Sequence, residues 1–146
     1  MKRFHLSIFT EFKLLMVAAV LLFANSAFAQ EQNIIKLCDK YLQAPYISDG
    51  QQYKALLADD ELAEFRATFY GGSVYRIVSC SSLKEGNIVF AVYDKERNLL
   101  FSSKDYQNAP YWDFKFKTTT DCIIEAEINS KTEKSGYAIL LIGFKQ

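Results

Sequence analysis

From residue 64 onward, large apolar residues recur at every second position. In EFRATFYGGSVYRIVSC, Phe65, Ala67 and Phe69 alternate with Arg66, Thr68 and Tyr70. Gly71-Gly72 then stands where a tight hairpin needs a positive φ, and a second strand is expected over Ser73 to Ser79. SSLKEGN reads as a loop with Gly86, NIVFAVYD as an apolar strand, and DKERN as a polar turn into LLFSS, a second hairpin. YWDFKF places Trp112, Phe114 and Phe116 on one face and Tyr111, Asp113 and Lys115 on the other. That segregation predicts a half-buried strand whose three rings fill a core. TTTDCIIEAEI alternates Cys122, Ile124, Ala126 and Ile128 against Ile123, Glu125 and Glu127, and YAILLIGFK closes the chain as an apolar strand after the polar loop NSKTEKSG.

Seven strands with short turns and no intervening long helix exclude parallel crossover units, and the pattern predicts an antiparallel β-sandwich or barrel. Upstream, QEQNIIKLCDKYL carries Ile34, Ile35, Cys38 and Leu42 at helical spacing, so a short amphipathic helix is expected before Pro45. Asp49-Gly50 reads as a turn, and ALLADDELAEF as a strand, a turn of helix and the start of the next strand.

The first 29 residues change what counts as the working protein. Lys2, Arg3 and Lys13 precede a continuous apolar run from Leu14 to Ala24, and Ala27-Phe28-Ala29 supplies an A-x-A cleavage signal. The run is far shorter than the roughly 20 residues that span a bilayer, so residues 1–29 are expected to be a secretory signal peptide. Removing 29 of the 146 residues leaves 117, the size of one domain, residues 30–146. No cysteine follows the cleavage point directly to take a lipid anchor, so the mature chain is expected to be exported, to the periplasm or beyond, and free of the membrane.

Loss of the signal leaves 14 basic and 16 acidic residues, interspersed, with no basic patch for nucleic acid or an anionic membrane. It also removes His5, the chain's one histidine. Serine–histidine and cysteine–histidine nucleophile pairs and histidine metal ligation go with it. A carboxylate pair, as in glycosidases, or a lysine or tyrosine of shifted pKa remains for catalysis, and no motif points to one. No cofactor is expected.

Cys38, Cys80 and Cys122 all lie in the mature chain, where an oxidising compartment lets a disulfide persist. Three pairings are possible. The one expected is Cys38 with Cys122, a staple between the short helix and a strand, with Cys80 left over.

SVYRIVSCSSLKEGNIVFAVYDKERNLLFSS, YWDFKF, TDCIIEAEI and SGYAILLIGF together resemble bacterial pre-peptidase C-terminal domains over roughly residues 64–144. The chain is also similar to small exported proteins of Gram-negative bacteria. The resemblance implies a secreted, jelly-roll-like β-sandwich and supplies no catalytic residues; this chain is expected to depart from the family pattern as a stand-alone domain with a helical N-terminus and no attached peptidase.

Asp94, Glu96 and Asn98, and the run Asp59, Asp60, Glu61 and Glu64, are oxygen donors of the kind Ca²⁺ takes from loops. Their positions at turns are better explained by local backbone hydrogen bonds. The leading expectation is a non-catalytic exported module that binds protein, envelope polymer or carbohydrate through exposed aromatics such as Tyr70, Tyr106 and Tyr111. The alternative is a carboxylate-dependent polysaccharide hydrolase, which requires two carboxyls roughly 5 to 10 Å apart across a cleft.

Overall fold

A computed structural model describes residues 34–36, 38–58, 60–83 and 87–145. The segment expected to be a signal peptide, residues 1–29, and Gly86 and Asp59 lie outside the described residues. Eight strands follow in order: β1 Ile47–Ala58, β2 Leu62–Phe69, β3 Val74–Ser81, β4 Asn87–Asp94, β5 Leu99–Ser102, β6 Tyr111–Lys115, β7 Thr120–Asn129 and β8 Ser135–Lys145. They form two four-stranded sheets, β1-β8-β3-β6 (sheet I) and β2-β7-β4-β5 (sheet II), and every pairing is antiparallel. The chain changes sheet at each connection except the β4–β5 hairpin. That order is the double Greek key of an eight-stranded jelly roll, so the sandwich expected from alternation is the one observed.

The seven expected strands from residue 64 are all present. Gly71-Gly72 is not a hairpin, however: it carries the chain from β2 in sheet II to β3 in sheet I, with Gly72 at φ 93°. Between the sheets, the inward positions of both layers meet in one core that includes Phe69, Ile77, Phe90, Val92, Ile124 and Leu140. Trp112, Phe114 and Phe116 pack against this core, Phe116 stacking on Phe69 at 4.8 Å and Trp112 on Phe101 at 5.0 Å. They remain partly exposed because β6 is an edge strand of sheet I.

The first strand was misread from the sequence. Asp49-Gly50 does not end an element but forms a bulge within β1, where the register with β8 steps from Ser48↔Gly143 to Gln52↔Leu141 and sets three residues against Ile142. Gly50 adopts φ 79°, the Gly50 amide donates to Ser48 Oγ (3.1 Å) and the Gln51 amide to Asp49 Oδ1 (2.9 Å). Local side-chain hydrogen bonds thus supply what a turn would, inside a strand that goes on. Nor is there a helical turn before β2: Asp60 at φ 64° and a Glu61 amide bond to the Ala58 carbonyl (3.1 Å) reverse the chain tightly.

The centre of sheet I, in β3 and β8, is buried on both faces. Residues 34–36 and 38–39 are helical, as the spacing predicts, and the segment from Ile34 to Leu42 lies over the outward side chains Val78, Ile139 and Leu141. This cover explains why β8 reads as an unbroken apolar run from Ala138 to Ile142. Gly143 permits the close approach, since a Cβ there would collide with Leu42 and lie 3.2 Å from the Ile47 carbonyl oxygen.

The disulfide joins Cys38 to Cys80, with Cα atoms 5.8 Å apart, and not Cys38 to Cys122. Strand parity is the reason. Cys80 shares the outward face of β3 with Val78, directly under the N-terminal segment, whereas Cys122 points inward from β7 of the opposite sheet. Cys122 is a free buried thiol. A disulfide of this kind persists in an oxidising compartment. Among the described residues no helix is long and apolar enough to cross a membrane.

Candidate functional site

At the side of the sandwich where β1 and β8 face β2, the bulge leaves an open cleft of about 630 Å³. Specific ligand sites commonly have about 300 to 1,000 Å³. The cleft is lined by Asp49, Gln51 and Tyr53 of β1, by Tyr70 and Ser73 of the β2–β3 connection, and by Tyr75 and Phe144 beneath them, with Arg66 and Thr68 on the β2 side. Its rings are fixed by packing: Tyr75 stands edge-on to Phe69 (4.9 Å) and lies near Phe144 (6.3 Å), and Tyr53 meets Phe65 edge-on (5.7 Å). Tyr75 Oη accepts the Tyr70 amide (3.0 Å), and Tyr53 Oη donates to Gln51 Oε1 (2.6 Å). Tyr70 itself is 64 % exposed, its ring free for a ligand. Partial desolvation raises the pKa of Asp49, an exposed side chain, despite the Gln51 amide, and burial together with Asp49 raises that of Tyr53.

The three tyrosines expected as contacts are not brought together. Tyr70 lines this cleft. Tyr106, in the 3-10 turn Ser103–Tyr106, lies on Trp112 (4.2 Å) and Phe101 (5.4 Å), closing the core at the β5–β6 side. Tyr111 belongs to a cluster on the outer face of sheet I. There Arg76 lies between the rings of Tyr46 (4.1 Å) and Tyr111 (4.4 Å), and Tyr41 packs on Tyr111 at 5.4 Å. Arg76 grips Asp113 with Nε (2.7 Å) and Nη2 (2.9 Å), and its Nη1 donates to the Tyr41 carbonyl (3.0 Å). Tyr46 Oη donates to Asp113 as well (2.6 Å). The Arg76 guanidinium holds the Asp113 carboxyl below the usual range, while burial and Asp113 raise the Tyr46 hydroxyl. These groups satisfy one another and tie the N-terminal segment to β3 and β6.

A shallower groove of about 590 Å³ runs over the outer face of sheet II near Arg66, Arg97 and Asp121. Glu64 and Glu125 are direct cross-strand partners here, with Cβ atoms about 5 Å apart by strand geometry. That is near the spacing a glycosidase carboxyl pair needs. The electrostatics oppose it: Arg97 reaches over from the β4–β5 hairpin and donates to both carboxylates, and Arg66 and Arg97 hold Glu64 below the ordinary range. A general acid requires a pKa displaced upward. Glu64 is thereby favoured as the carboxylate, the opposite of what an acid needs.

Among the candidate calcium donors, Asp94 accepts the Asn98 amide and Asn98 Nδ2 (each 2.8 Å), Glu96 pairs with Lys95, and Glu61 accepts the Ala58 amide (2.7 Å). They work as turn closures. Among the described residues no group of three histidine, cysteine or acidic side chains is placed to hold a metal ion.

Asp49, Gln51, Tyr53, Tyr75 and Phe144 were missed as site residues. The signal available was the Asp-Gly pair just ahead of Tyr53, which marks a bulge as readily as a turn. Comparison of the chain with protein-family models and with curated proteins gives no match.

Proposed function

We propose that the protein is an exported, non-catalytic binding module of the periplasm or cell exterior that takes a segment of an envelope polymer, a carbohydrate or a protein into the cleft beside the β1 bulge. The observation that carries this reading is the mixed lining of that cleft: the packed rings of Tyr53 and Tyr75 and the exposed ring of Tyr70 beside the polar bulge residues Asp49 and Gln51. Recognition sites combine apolar walls with a few placed polar groups in this way. Binding is favoured over hydrolysis because Asp49 is the one carboxyl among the described residues lining the cleft, and hydrolysis of a glycosidic bond requires two. The resemblance to pre-peptidase C-terminal domains and the signal sequence both point toward an exported module.

The test is amide and aromatic chemical-shift mapping of residues 30–146 titrated with fractionated envelope extract. Shifts concentrated at Asp49, Tyr53, Tyr70 and Tyr75, and abolished by Tyr70→Ala, are expected. Shifts confined to Tyr106, or to the outer face of either sheet, would overturn the assignment.

A further inference from the structure

Resting on the cleft reading above, we infer that the ligand is an uncharged chain of pyranose sugars, read by aromatic faces below and by the Asp49–Gln51 bulge above. A pyranose ring has an apolar C–H face and a rim of hydroxyls, and the cleft offers the complement of both. Tyr70, the most open, and the partly buried Tyr53 supply ring surface, with Tyr75 buried beneath them as the floor. Asp49 and Gln51 supply acceptors, and Ser73 a hydroxyl that both donates and accepts, which suits groups that themselves do both.

Charge narrows the class. Asp49 and Arg66 are the charged side chains among the described residues of the lining, and Arg66 Nη2 is engaged by Glu64 at 3.1 Å. With one charge of each sign the described lining carries no net charge, so an anionic polymer finds no net attraction there. A cationic polymer would find one carboxylate only.

The bulge gives the reading its geometry. Three residues set against Ile142 cannot all join the ladder with β8, so the strand bows and re-aims side chains that would otherwise alternate across the sheet. The amide bonds to Ser48 Oγ and Asp49 Oδ1 and the Tyr53–Gln51 hydrogen bond hold that bow in place before any ligand arrives. A site shaped in advance loses less freedom on binding.

Isothermal titration of residues 30–146 with cellohexaose, maltohexaose and chitohexaose, alongside polygalacturonate and an unstructured casein peptide, tests the inference. Binding of a neutral oligosaccharide is expected, weakened about threefold to tenfold by Tyr70→Ala. Asp49→Asn, which keeps an acceptor without charge, should bind within about threefold of the parent, whereas Asp49→Ala should lose more. Tyr106→Ala should bind as the parent does. Absence of binding to all three neutral chains overturns the sugar class. Binding only of polygalacturonate or the peptide, still sensitive to Tyr70→Ala, also overturns it but leaves the cleft as the site. Neutral-glycan binding indifferent to both Tyr70 and Asp49 variants overturns the cleft itself.

Discussion

Replacing both Cys38 and Cys80 by alanine removes the covalent tie between the N-terminal segment and the centre of sheet I. The bridge closes a loop over a sequence separation of 42. In the chain-entropy account, a loop of that length restricts the unfolded chain by about 4 kcal/mol at 25 °C. Alanine at both sites avoids leaving a hydroxyl at Cys38, which is fully buried, so the loss measured belongs mainly to the tie. The native contacts of Ile34 and Leu42, and the Arg76 bond to the Tyr41 carbonyl, survive the change and keep the segment in place. Urea denaturation should therefore show stability lower by about 3 to 4 kcal/mol, with a steeper dependence on urea because the freed unfolded chain exposes more surface. Of a total of about 5 to 15 kcal/mol, that is a large share. Cys122→Ala should leave the urea dependence unchanged and lose about 1 kcal/mol from the shortened side chain. A loss below about 1 kcal/mol in the double variant would refute the reasoning. So would a non-reduced digest in which Cys38 is linked to the Cys122 peptide.

Trp112→Ala and Phe114→Ala, on an edge strand and only partly buried, should each cost about 2 to 4 kcal/mol in chemical denaturation, less than Phe90→Ala at the centre; equality with the parent would place the rings outside the core. The Asp113 carboxyl, held below its unfolded value of about 3.9, adds stability that is complete above that value and lost as pH falls through its lower folded pKa; Asp113→Asn should flatten the acid limb of a stability–pH curve. Burial raises the Cys122 thiol to about 11, so iodoacetamide should label it very slowly in the native protein and rapidly in denaturant. Intact-mass analysis of exported material should find Gln30 at the N-terminus; Met1 there would refute cleavage after Ala29.

Period-two alternation carried the seven strands from residue 64 because inward and outward side chains differ so plainly in β2, β6 and β7. β1 escaped for the opposite reason. Its burial is weak along Ile47–Lys54, with Tyr53 the partial exception, and its bulge is written with the same Asp-Gly pair that writes a turn. The disulfide was legible in principle: Ala138 to Ile142 is apolar at both parities, which means a sheet covered on both faces. The cover had to be the N-terminal segment, and Cys80 lies on the covered side. Pairing Cys38 with Cys122 ignored that parity. Of the cleft only Tyr70 was singled out, because Asp49, Tyr70 and Phe144 meet only through the pairing of the first strand with the last.

That pairing also governs when the molecule can exist. β8 is the last strand in sequence yet lies between β1 and β3, joining Ile47 to Phe144 at one end and Ala58 to Ser135 at the other. Contacts so distant along the chain make for slow folding. As the chain is made, N-terminus first, β1 waits for a neighbour until β8 has emerged, its hydrogen-bonding edge open to other chains. A stop codon just ahead of Ser135 would deprive β1 of its ladder and β3 of half of its own. The incomplete chain therefore carries an open strand edge, and the eleven-residue β8 closes it.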